Sequence, residues 1–361
     1  MLKGNKGEWS ETYTFLKLLA EGKIYAADEN LQRIDSFYPL IKIDRAEKDN
    51  SHHEYIYGEN ISVRDCTTNT IIKEIPCEYF LDQSTLLLDR IISETGSSFS
   101  VPEIEDFLSS LQITTLKARS DSKSDIKISV HDLNTGLQPD LSFSIKSRLG
   151  NPSTLFNANK EATNFIYKIT GDISESDISR INSINSRSKV KDRIQEIIKL
   201  GCALNYHDVP NDILKMNLQL IDSMLPNILG EMLLTFFSGS TSTVKDILDI
   251  VTAKNPCNFN TLYNHKFYEY KVKNFLTDIA LGMTPREIWD GRYDATGGYI
   301  IVKENGELIC YHIYNRNEFQ DYLLNQTKFE SPSTNRHQYG LLYHENGELY
   351  LKLNLQIRFI K

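Results

Sequence analysis

The sequence predicts a mixed α/β fold with a β-rich C-terminal part. Three observations support this. Segments with helical spacing alternate with period-2 strand patterns, two alternating runs lie close together within residues 125–147, and strand–turn–strand patterns fill the chain from about residue 297. The chain has 361 residues, of which 40% are hydrophobic and 24% charged, so it can bury a sizeable core as one large domain or two ordinary ones.

The N-terminal part is predicted to begin with a helix. The spacing of apolar residues in "GEWSETYTFLKLL" predicts a helix over about residues 8–21, which ends at Gly22. Residues 24–80 alternate between apolar and polar side chains, and this alternation predicts strands joined by polar turns. Helical patterns follow at about residues 84–93 and 101–112.

The next segment predicts a β-hairpin. A polar loop, "SDSKSD", leads into the alternating runs "DIKISVHD" and "DLSFSIKS", which are joined by a turn around residues 134–136. In such a hairpin the apolar residues of both runs share one face and the polar residues share the other. Antiparallel pairing places Asp125 opposite or near Lys146.

Beyond Gly150 the patterns become helical and then return to strands. A short helix is predicted at residues 152–159, and stronger helical patterns cover residues 188–200 and 211–237. From about residue 297, "GGYIIVKENGELICYHIY" and "GLLYHENGELYLKLNLQIRF" each predict a strand, an E-N-G turn and a second strand.

No linker or low-complexity segment divides the chain, so a single domain over residues 1–361 is predicted. Its expected parts are a helix and strand-rich segment at 1–110, a central segment at 111–296 and a β-rich segment at 297–361.

Composition limits the partners and the compartment. The formal net charge of −8 provides no overall attraction for nucleic acid, although it does not determine the electrostatic potential of a single cleft.

The five cysteines lie far apart without a C-x-x-C pair, which argues against a zinc site or a disulfide framework. The beginning, "MLKGNKGEWSE", lacks the apolar region of a signal peptide. We therefore expect free thiols and a cytoplasmic location.

A membrane partner is not expected. The most apolar long segment, residues 218–237, is interrupted by Asp222, Pro226 and Glu231. Charged residues and a proline within about 20 residues are typical of a buried helix rather than of a membrane span.

The predicted hairpin groups side chains that suit phosphodiester hydrolysis. Asp125, Ser144 and Lys146 fall on its polar face. An acidic residue and a lysine presented together at the end of a hairpin resemble the arrangement of the PD-(D/E)xK nucleases. Such hydrolysis uses a divalent cation held by carboxylates, and an ammonium group can position water or stabilise charge. We therefore expect Asp125 to hold Mg²⁺ and Lys146 to orient or activate water.

The second metal ligand has three candidates, because Ser144 stands where a second carboxylate usually precedes the lysine. Asp140 follows Pro139 and equally suits a turn. Glu161 lies fifteen residues beyond Lys146 on a possible helix, where a solvated surface charge is the alternative.

Glu11 is the favoured candidate for that ligand. Helical spacing places it in line with Phe15, Leu18 and Leu19, on the apolar stripe of the N-terminal helix. A carboxylate on a buried face costs several kcal/mol unless it meets a cation or hydrogen-bond donors. A helix-dipole role in the first turn is the alternative, and Glu8 fits that role better.

Longer segments resemble the HpaII-type family of type II restriction endonucleases. They are "GNKGEWSETYTFLKLL", "SIKSRLGNPSTLFNANKEATNF", "TKFESPSTNRHQYG" and "KLNLQIRF", spread over nearly the whole chain. The resemblance implies a PD-(D/E)xK restriction-endonuclease-like core, a mixed central sheet flanked by helices with N-terminal and β-rich C-terminal elaborations. It also implies Mg²⁺-dependent cleavage of duplex DNA at CCGG, with Asp125, Ser144, Lys146 and Glu11 as the matching catalytic positions. A cognate DNA methyltransferase acting on the same site is the implied functional partner.

Three segments are candidates for contacting DNA. Arg148 and Asn157 lie in the loop "KSRLGNPSTLFNAN", although a helix junction capped by Ser153 or Asn151 explains this composition equally well.

Basic residues are concentrated in "SRSKVKDRIQEIIK", where Arg187 and Lys189 are followed by Lys191 and Arg193. This pattern indicates a phosphate-contacting surface or simply a solvated helix face. In "SPSTNRHQYG", Arg336 and His337 stand in a polar loop that suits contacts with phosphates and bases.

A palindromic site favours a homodimer on DNA.

The sequence also leaves two other functions open. One is a repair or junction nuclease without base specificity, and the other is a non-catalytic DNA-binding protein on a nuclease-like scaffold.

Overall fold

The structure is a computed structural model that describes residues 1–119, 124–133 and 135–361. Most of the predicted polar loop "SDSKSD" and Asn134 of the predicted hairpin turn lie outside the described residues.

Helices and strands alternate along the chain, as expected for a mixed α/β protein. The described helices are α1 (Lys6–Glu21), α2 (Cys77–Ser93), α3 (Pro102–Ser110), α4 (Glu175–Asn182), α5 (Lys189–Lys199), α6 (Asp212–Ile221), α7 (Leu225–Ser238), α8 (Val244–Lys254), α9 (Phe267–Leu281), α10 (Arg316–Asn325) and α11 (Thr334–His337). The described strands are β1 (Lys23–Ala27), β2 (Arg33–Ala46), β3 (His52–Ile56), β4 (Asn60–Asp65), β5 (Thr70–Pro76), β6 (Ile126–Val130), β7 (Asp140–Ser147), β8 (Thr154–Phe156), β9 (Asn164–Thr170), β10 (Ala203–Asp208), β11 (Gly298–Val302), β12 (Leu308–His312), β13 (Thr327–Phe329), β14 (Leu342–Glu345), β15 (Glu348–Asn354) and β16 (Ile357–Phe359).

The chain forms two compact units. The first comprises Met1–Ser153, Tyr293–Tyr322 and Lys361, and the second comprises Thr154–Arg292 and Leu323–Ile360. The single nuclease domain expected from the sequence stays a prediction.

A nine-stranded sheet forms the centre of the first unit. Its strand order is β1-β12-β11-β7-β6-β2-β3-β4-β5, and β1 also pairs with β2, so six of these strands close into a ring of pairings. Most pairs are antiparallel, but β1–β12 and β7–β11 are parallel. The sheet is therefore mixed, which confirms the predicted α/β class.

Helix α1 supplies much of the core of this unit. Its apolar side chains pack in one hydrophobic cluster with strand residues such as Ile128, Phe143 and Ile300, and they are Trp9, Tyr13, Phe15, Leu16, Leu18 and Leu19. The helix ends at Gly22, whose φ of 65° is a left-handed conformation that glycine adopts without strain. The predicted N-terminal helix is confirmed, with its start two residues earlier than expected.

The predicted hairpin is formed by β6 and β7. These strands pair antiparallel with Ile126 opposite Phe143 and Ile128 opposite Leu141. That register continues to Asp125, whose backbone N–H donates to the carbonyl of Phe143. The polar residue directly across from Asp125 is consequently Ser144, with Lys146 two residues further along β7.

Strand β11 lies on the other side of β7 and pairs with it in parallel, with Tyr299 beside Ser144. Gly298, at the start of β11, has a φ of 102°, and a Cβ there would lie 2.0 Å from the carbonyl oxygen of Tyr311. Only glycine fits this position without displacing the backbone of β12.

The second unit contains two further sheets, in the orders β10-β9-β15-β14 and β13-β16-β8. The short helix predicted at residues 152–159 was wrong, because the segment contains strand β8. Leu155 and Phe156 are buried there, and Phe156 pairs opposite Ile357. Long-range pairing therefore determines the conformation of this segment.

The helical pattern at residues 211–237 corresponds to two helices, α6 and α7. Asp222 is extended where α6 ends, and its carboxylate accepts a hydrogen bond from the N–H of Met224 at 2.9 Å. Pro226 lies in the first turn of α7, where its missing N–H is tolerated.

No single described helix is long and apolar enough to cross a membrane, and α6 with α7 meet the length and composition test only as a pair bent by 108°.

Other predicted elements agree closely with the structure. Helix α5 occupies the pattern at 188–200, and both E-N-G turns join paired strands, β11 with β12 and β14 with β15. Helix α2 begins at Cys77, earlier than the expected residue 84, because the chain enters it directly from Pro76 at the end of β5.

Candidate active site

Asp125, Ser144 and Lys146 are connected by hydrogen bonds on the hairpin of β6 and β7. The ammonium of Lys146 donates to Ser144 Oγ at 2.9 Å, and the Ser144 hydroxyl donates to Asp125 Oδ2 at 3.0 Å. The backbone N–H of Ile145 donates to the same carboxylate oxygen at 2.7 Å. Two donors on one oxygen hold the carboxylate in a single orientation.

The ammonium of Lys146 is held beside an aromatic ring. Its Nζ lies 5.0 Å from the centroid of the buried Tyr299 ring, within the range of a cation–π interaction. Burial lowers the pKa of the Lys146 ammonium, and the carboxylates of Asp125 and Glu11 oppose this shift. The Lys146 ammonium has therefore lost part of its hydration, and the two nearby carboxylates offset the cost of this loss.

Glu11 projects from α1 toward the same group of residues. Its side chain is only 15% exposed, in keeping with its place on the apolar stripe, and its Oε1 lies 3.4 Å from Lys117 Nζ. Burial, reinforced by the Asp125 carboxylate, raises the pKa of Glu11 to about 7, although Lys117 opposes the shift. The Asp125 carboxylate therefore makes ionisation of Glu11 less favourable.

A cavity of about 240 Å³ opens at this point, and Glu11, Asp125, Asp44 and Ser142 are among the residues that line it. Within residues 1–119, 124–133 and 135–361, no three or more His, Cys, Asp or Glu side chains are grouped so as to hold a metal ion. Mg²⁺ commonly uses one or two carboxylates and completes its shell with water and substrate phosphate. Two mutually repelling carboxylates on a polar cavity fit that requirement.

The structure gives the two other candidate ligands different surroundings. Asp140, the first residue of β7, accepts a hydrogen bond from the hydroxyl of Ser129 on β6, its partner in the strand pairing. Glu161 belongs to the second unit and is exposed in a turn, where its N–H donates to Asn159 Oδ1 at 2.9 Å. The segment around Glu161 is a turn rather than the helix considered from the sequence.

Arg148 and Asn157, the candidate DNA contacts after β7, belong to different units. Arg148 directly follows β7, and its backbone N–H donates to the carbonyl of Val302. Its guanidinium lies 4.0 Å from the carboxylate of Glu304. Asn157 directly follows β8 and is exposed.

Only part of the basic run on α5 faces solvent. Arg187 is exposed, and Lys189 donates to Asn185 Oδ1 at 3.2 Å. Lys191 instead donates to the carbonyl of Gly239, and its Nζ lies 4.8 Å from the centroid of the Phe236 ring.

Arg193 is buried and donates to the carbonyls of Asn182, Ile184 and Gly340. The expectation of four basic side chains on one phosphate-contacting surface was therefore wrong for Arg193, whose guanidinium stabilises local structure.

Arg336 and His337 lie in α11, a single helical turn within the expected polar loop. Arg336 is exposed, and its N–H donates to the hydroxyl of Ser333. The side chain of His337 is buried, and burial together with the neighbouring Arg336 lowers its pKa. Of these two candidates, only Arg336 presents its side chain at the surface.

Sequence reasoning missed Lys117 and Tyr299. Lys117 lies in a loop more than 100 positions from Glu11, and Tyr299 comes next to Lys146 through the parallel pairing of β7 with β11. No local pattern indicates either contact. The only sequence signal was indirect, because a buried Glu11 requires a cation somewhere nearby.

Comparisons with known proteins identify the family of the chain. The family model described as HpaII restriction endonuclease matches residues 5–359. The chain is 46% identical over 358 residues to the Type II restriction enzyme HpaII of Haemophilus parainfluenzae, an alignment that covers 99% of this chain and 98% of that protein. No solved structure matches the chain. The chain belongs to the HpaII restriction endonuclease family.

Proposed function

We propose that this chain is a type II restriction endonuclease that cleaves double-stranded DNA at CCGG and leaves 5′-phosphate ends. The main support for the proposal is the pair of hydrogen bonds that link Lys146 to Ser144 and Ser144 to Asp125. The mostly buried carboxylate of Glu11 belongs to the same site. Family membership over almost the whole chain supports both the activity and the CCGG site.

We propose that the first unit contains the PD-(D/E)xK core. The mixed sheet, the hairpin that carries Asp125 and Lys146, and α1 beside that hairpin support this assignment. Ser144 occupies the position at which this superfamily usually has a second acidic residue. Glu11, from outside the hairpin, would supply the missing carboxylate.

Mg²⁺ is the proposed cofactor, held by Asp125 and Glu11. When bound, it neutralises the scissile phosphate and lowers the pKa of the attacking water. The protein provides the geometry, because Ser144 and the N–H of Ile145 fix the Asp125 carboxylate. Hard carboxylate oxygens and a polar cavity suit this cation.

Lys146 would orient the attacking water and stabilise the negative charge that develops on the phosphate. Its ammonium is held by Ser144 Oγ and by the Tyr299 ring, so that little reorganisation is needed during the reaction. Burial makes this charge more effective than it would be in bulk water.

DNA contacts are proposed for Arg148, Asn157, Arg187, Lys189 and Arg336. Arginine forms bidentate hydrogen bonds with guanine O6 and N7, which suits a site composed of C and G. The exposed Arg336 is the strongest candidate for base readout, and Arg187 and Lys189 for phosphate contacts.

A palindromic site favours two active sites related by a two-fold axis, so we propose a homodimer on DNA. The enzyme would act in the cytoplasm, where its five free cysteines stay reduced, alongside a methyltransferase that protects the same sequence.

A plasmid digest with Mg²⁺ followed by sequencing of the fragment ends tests the proposal. Wild type should give discrete fragments ending at CCGG, and Lys146→Ala should give none. Lys17→Ala is the matched control, because Lys17 pairs with Glu21 four residues along α1. Discrete fragments at another sequence would remove the CCGG assignment. Degradation without defined ends would favour a repair nuclease, and DNA binding without cutting would favour a non-catalytic scaffold.

A further inference from the structure

Lys117 provides the nearest cation to Glu11 among the described contacts of that carboxylate. Its Nζ lies 3.4 Å from Glu11 Oε1, and it also interacts electrostatically with Asp125. The side chain of Lys117 is about half exposed, whereas that of Glu11 is mostly buried. The Lys117 ammonium therefore reaches Glu11 while it remains accessible to solvent.

The loop that carries Lys117 is anchored by a buried carboxylate, Glu47. This residue is fully buried, and it accepts hydrogen bonds from the N–H and hydroxyl of Thr114, from those of Thr115, and from Arg45 Nε. The Thr115 hydroxyl also lies 2.6 Å from the carbonyl oxygen of Lys117. Because a buried and fully bonded carboxylate strongly fixes its partners, the position of Lys117 is built into the fold.

Two ammonium groups lie beside the two carboxylates at this point, with Lys117 next to Glu11 and Lys146 joined to Asp125 through Ser144. A divalent cation bound by Glu11 and Asp125 would add two positive charges next to these ammonium groups in a partly buried site, which is unfavourable before the phosphate arrives. Loss of the more exposed ammonium, that of Lys117, reduces this positive charge with the least rearrangement.

We propose that Lys117 is a built-in counter-ion that takes the place of the divalent cation beside Glu11 in the metal-free enzyme and is displaced when that cation binds. This inference rests on the proposed role of Glu11 and Asp125 as metal ligands. Lys117 is thus a positioning residue that holds the Glu11 carboxylate at the cavity. It makes metal binding weaker in the absence of DNA, when the phosphate is not present to receive the displaced ammonium.

Direct binding of Mn²⁺ to the full chain without DNA tests this proposal, with free Mn²⁺ measured by electron paramagnetic resonance at fixed pH and salt. Lys117→Met removes the ammonium and retains the aliphatic side chain, so it should bind Mn²⁺ roughly tenfold more tightly than wild type. Lys117→Arg retains the charge and should restore weak binding. Lys17→Met removes one charge on α1, where Lys17 pairs with Glu21 and does not line the cavity, and should change the affinity much less.

A double-variant comparison tests whether the effect acts through Glu11. In a Glu11→Gln background, Lys117→Met should tighten Mn²⁺ binding much less, because the nearer of its two carboxylate partners is absent and only Asp125 remains. An unchanged affinity for Lys117→Met, or an equal gain for Lys17→Met, would overturn the counter-ion role while leaving the metal site intact. If Asp125→Asn binds Mn²⁺ as well as wild type does, the proposed metal site itself fails, and the role of Lys117 fails with it.

Discussion

Ser144 accepts a hydrogen bond from the ammonium of Lys146 at 2.9 Å, two residues away on the same strand. Its own hydroxyl proton points to Asp125 Oδ2 at 3.0 Å, so one neutral side chain connects the two charged groups of the hairpin. A carboxylate at this position would hold a metal ion directly. A serine instead orients Asp125 and Lys146, and the second carboxylate has to come from outside the hairpin.

Ser144→Ala should therefore slow cleavage without preventing folding. The substitution removes hydrogen bonds to an ammonium and to a carboxylate, which are each worth about 1.5–3 kcal/mol, so we expect a loss of about 10- to 100-fold in the single-turnover rate. Ser62→Ala, on β4 of the same sheet, is the matched control and should cleave nearly normally, because the Ser62 hydroxyl donates to the Glu74 carboxylate and does not line the cavity. Equal rates for Ser144→Ala and wild type would show that the serine does not position either group.

How far the sequence predicted this site depends on the distance along the chain between its parts. The hairpin of β6 and β7 and helix α1 follow from local periodicity, which is why Asp125, Lys146 and Glu11 could be named in advance. Their partners Tyr299 and Lys117 could not be named, because they reach the site through a parallel strand pairing and a loop.

Strand β8 shows the same limit in the fold. Its three residues lack a pattern of their own, and their conformation depends on pairing with β16, about 200 positions away. Likewise, the sequence does not distinguish Arg193 from its basic neighbours. Arg193 differs from them because its guanidinium donates to backbone carbonyl groups of distant segments in the folded chain.

Glu11→Gln should abolish cleavage at millimolar Mg²⁺ while leaving the fold intact, because a neutral amide is a poor ligand for a hard cation. Glu161→Gln and Asp140→Asn are the matched substitutions at the two alternative carboxylates, and both should retain activity. Circular dichroism and a gel-shift assay on the same preparations show whether each variant still folds and binds DNA, and so distinguish a loss of catalysis from a loss of folding. Normal cleavage by Glu11→Gln would transfer the metal-binding role to whichever alternative variant is inactive.

The same substitution should stabilise the metal-free protein at alkaline pH. The pKa of Glu11 is raised by burial from 4.5 to about 7, so the folded state binds this proton more tightly than the unfolded chain does. Ionisation of Glu11 therefore destabilises the fold progressively between about pH 4.5 and 7, by at most about 3 kcal/mol, and this cost is constant above that range.

Urea unfolding in the presence of a chelator measures this effect. The free energy of unfolding of Glu11→Gln should exceed that of wild type by about 1–3 kcal/mol at pH 8, with little difference near pH 4. Glu8→Gln, one turn earlier on α1, controls for the loss of a carboxylate on the same helix, since an amide can also accept the capping hydrogen bond from Asn5. A difference that does not vary with pH would contradict the raised pKa.

The exposed arginines should divide into base-reading and phosphate-contacting residues. Arg336→Ala should weaken binding to the CCGG site by about 1–3 kcal/mol and relax discrimination against altered sites. Arg187→Ala should weaken binding to all duplexes alike and reduce the slope of log affinity against log salt concentration by about one.

His337→Ala should lower the stability of the protein rather than its sequence specificity, because the His337 side chain is buried. Titrations of cognate and altered duplexes at several salt concentrations separate these outcomes, and an unchanged specificity ratio for Arg336→Ala at fixed salt would remove Arg336 from base readout.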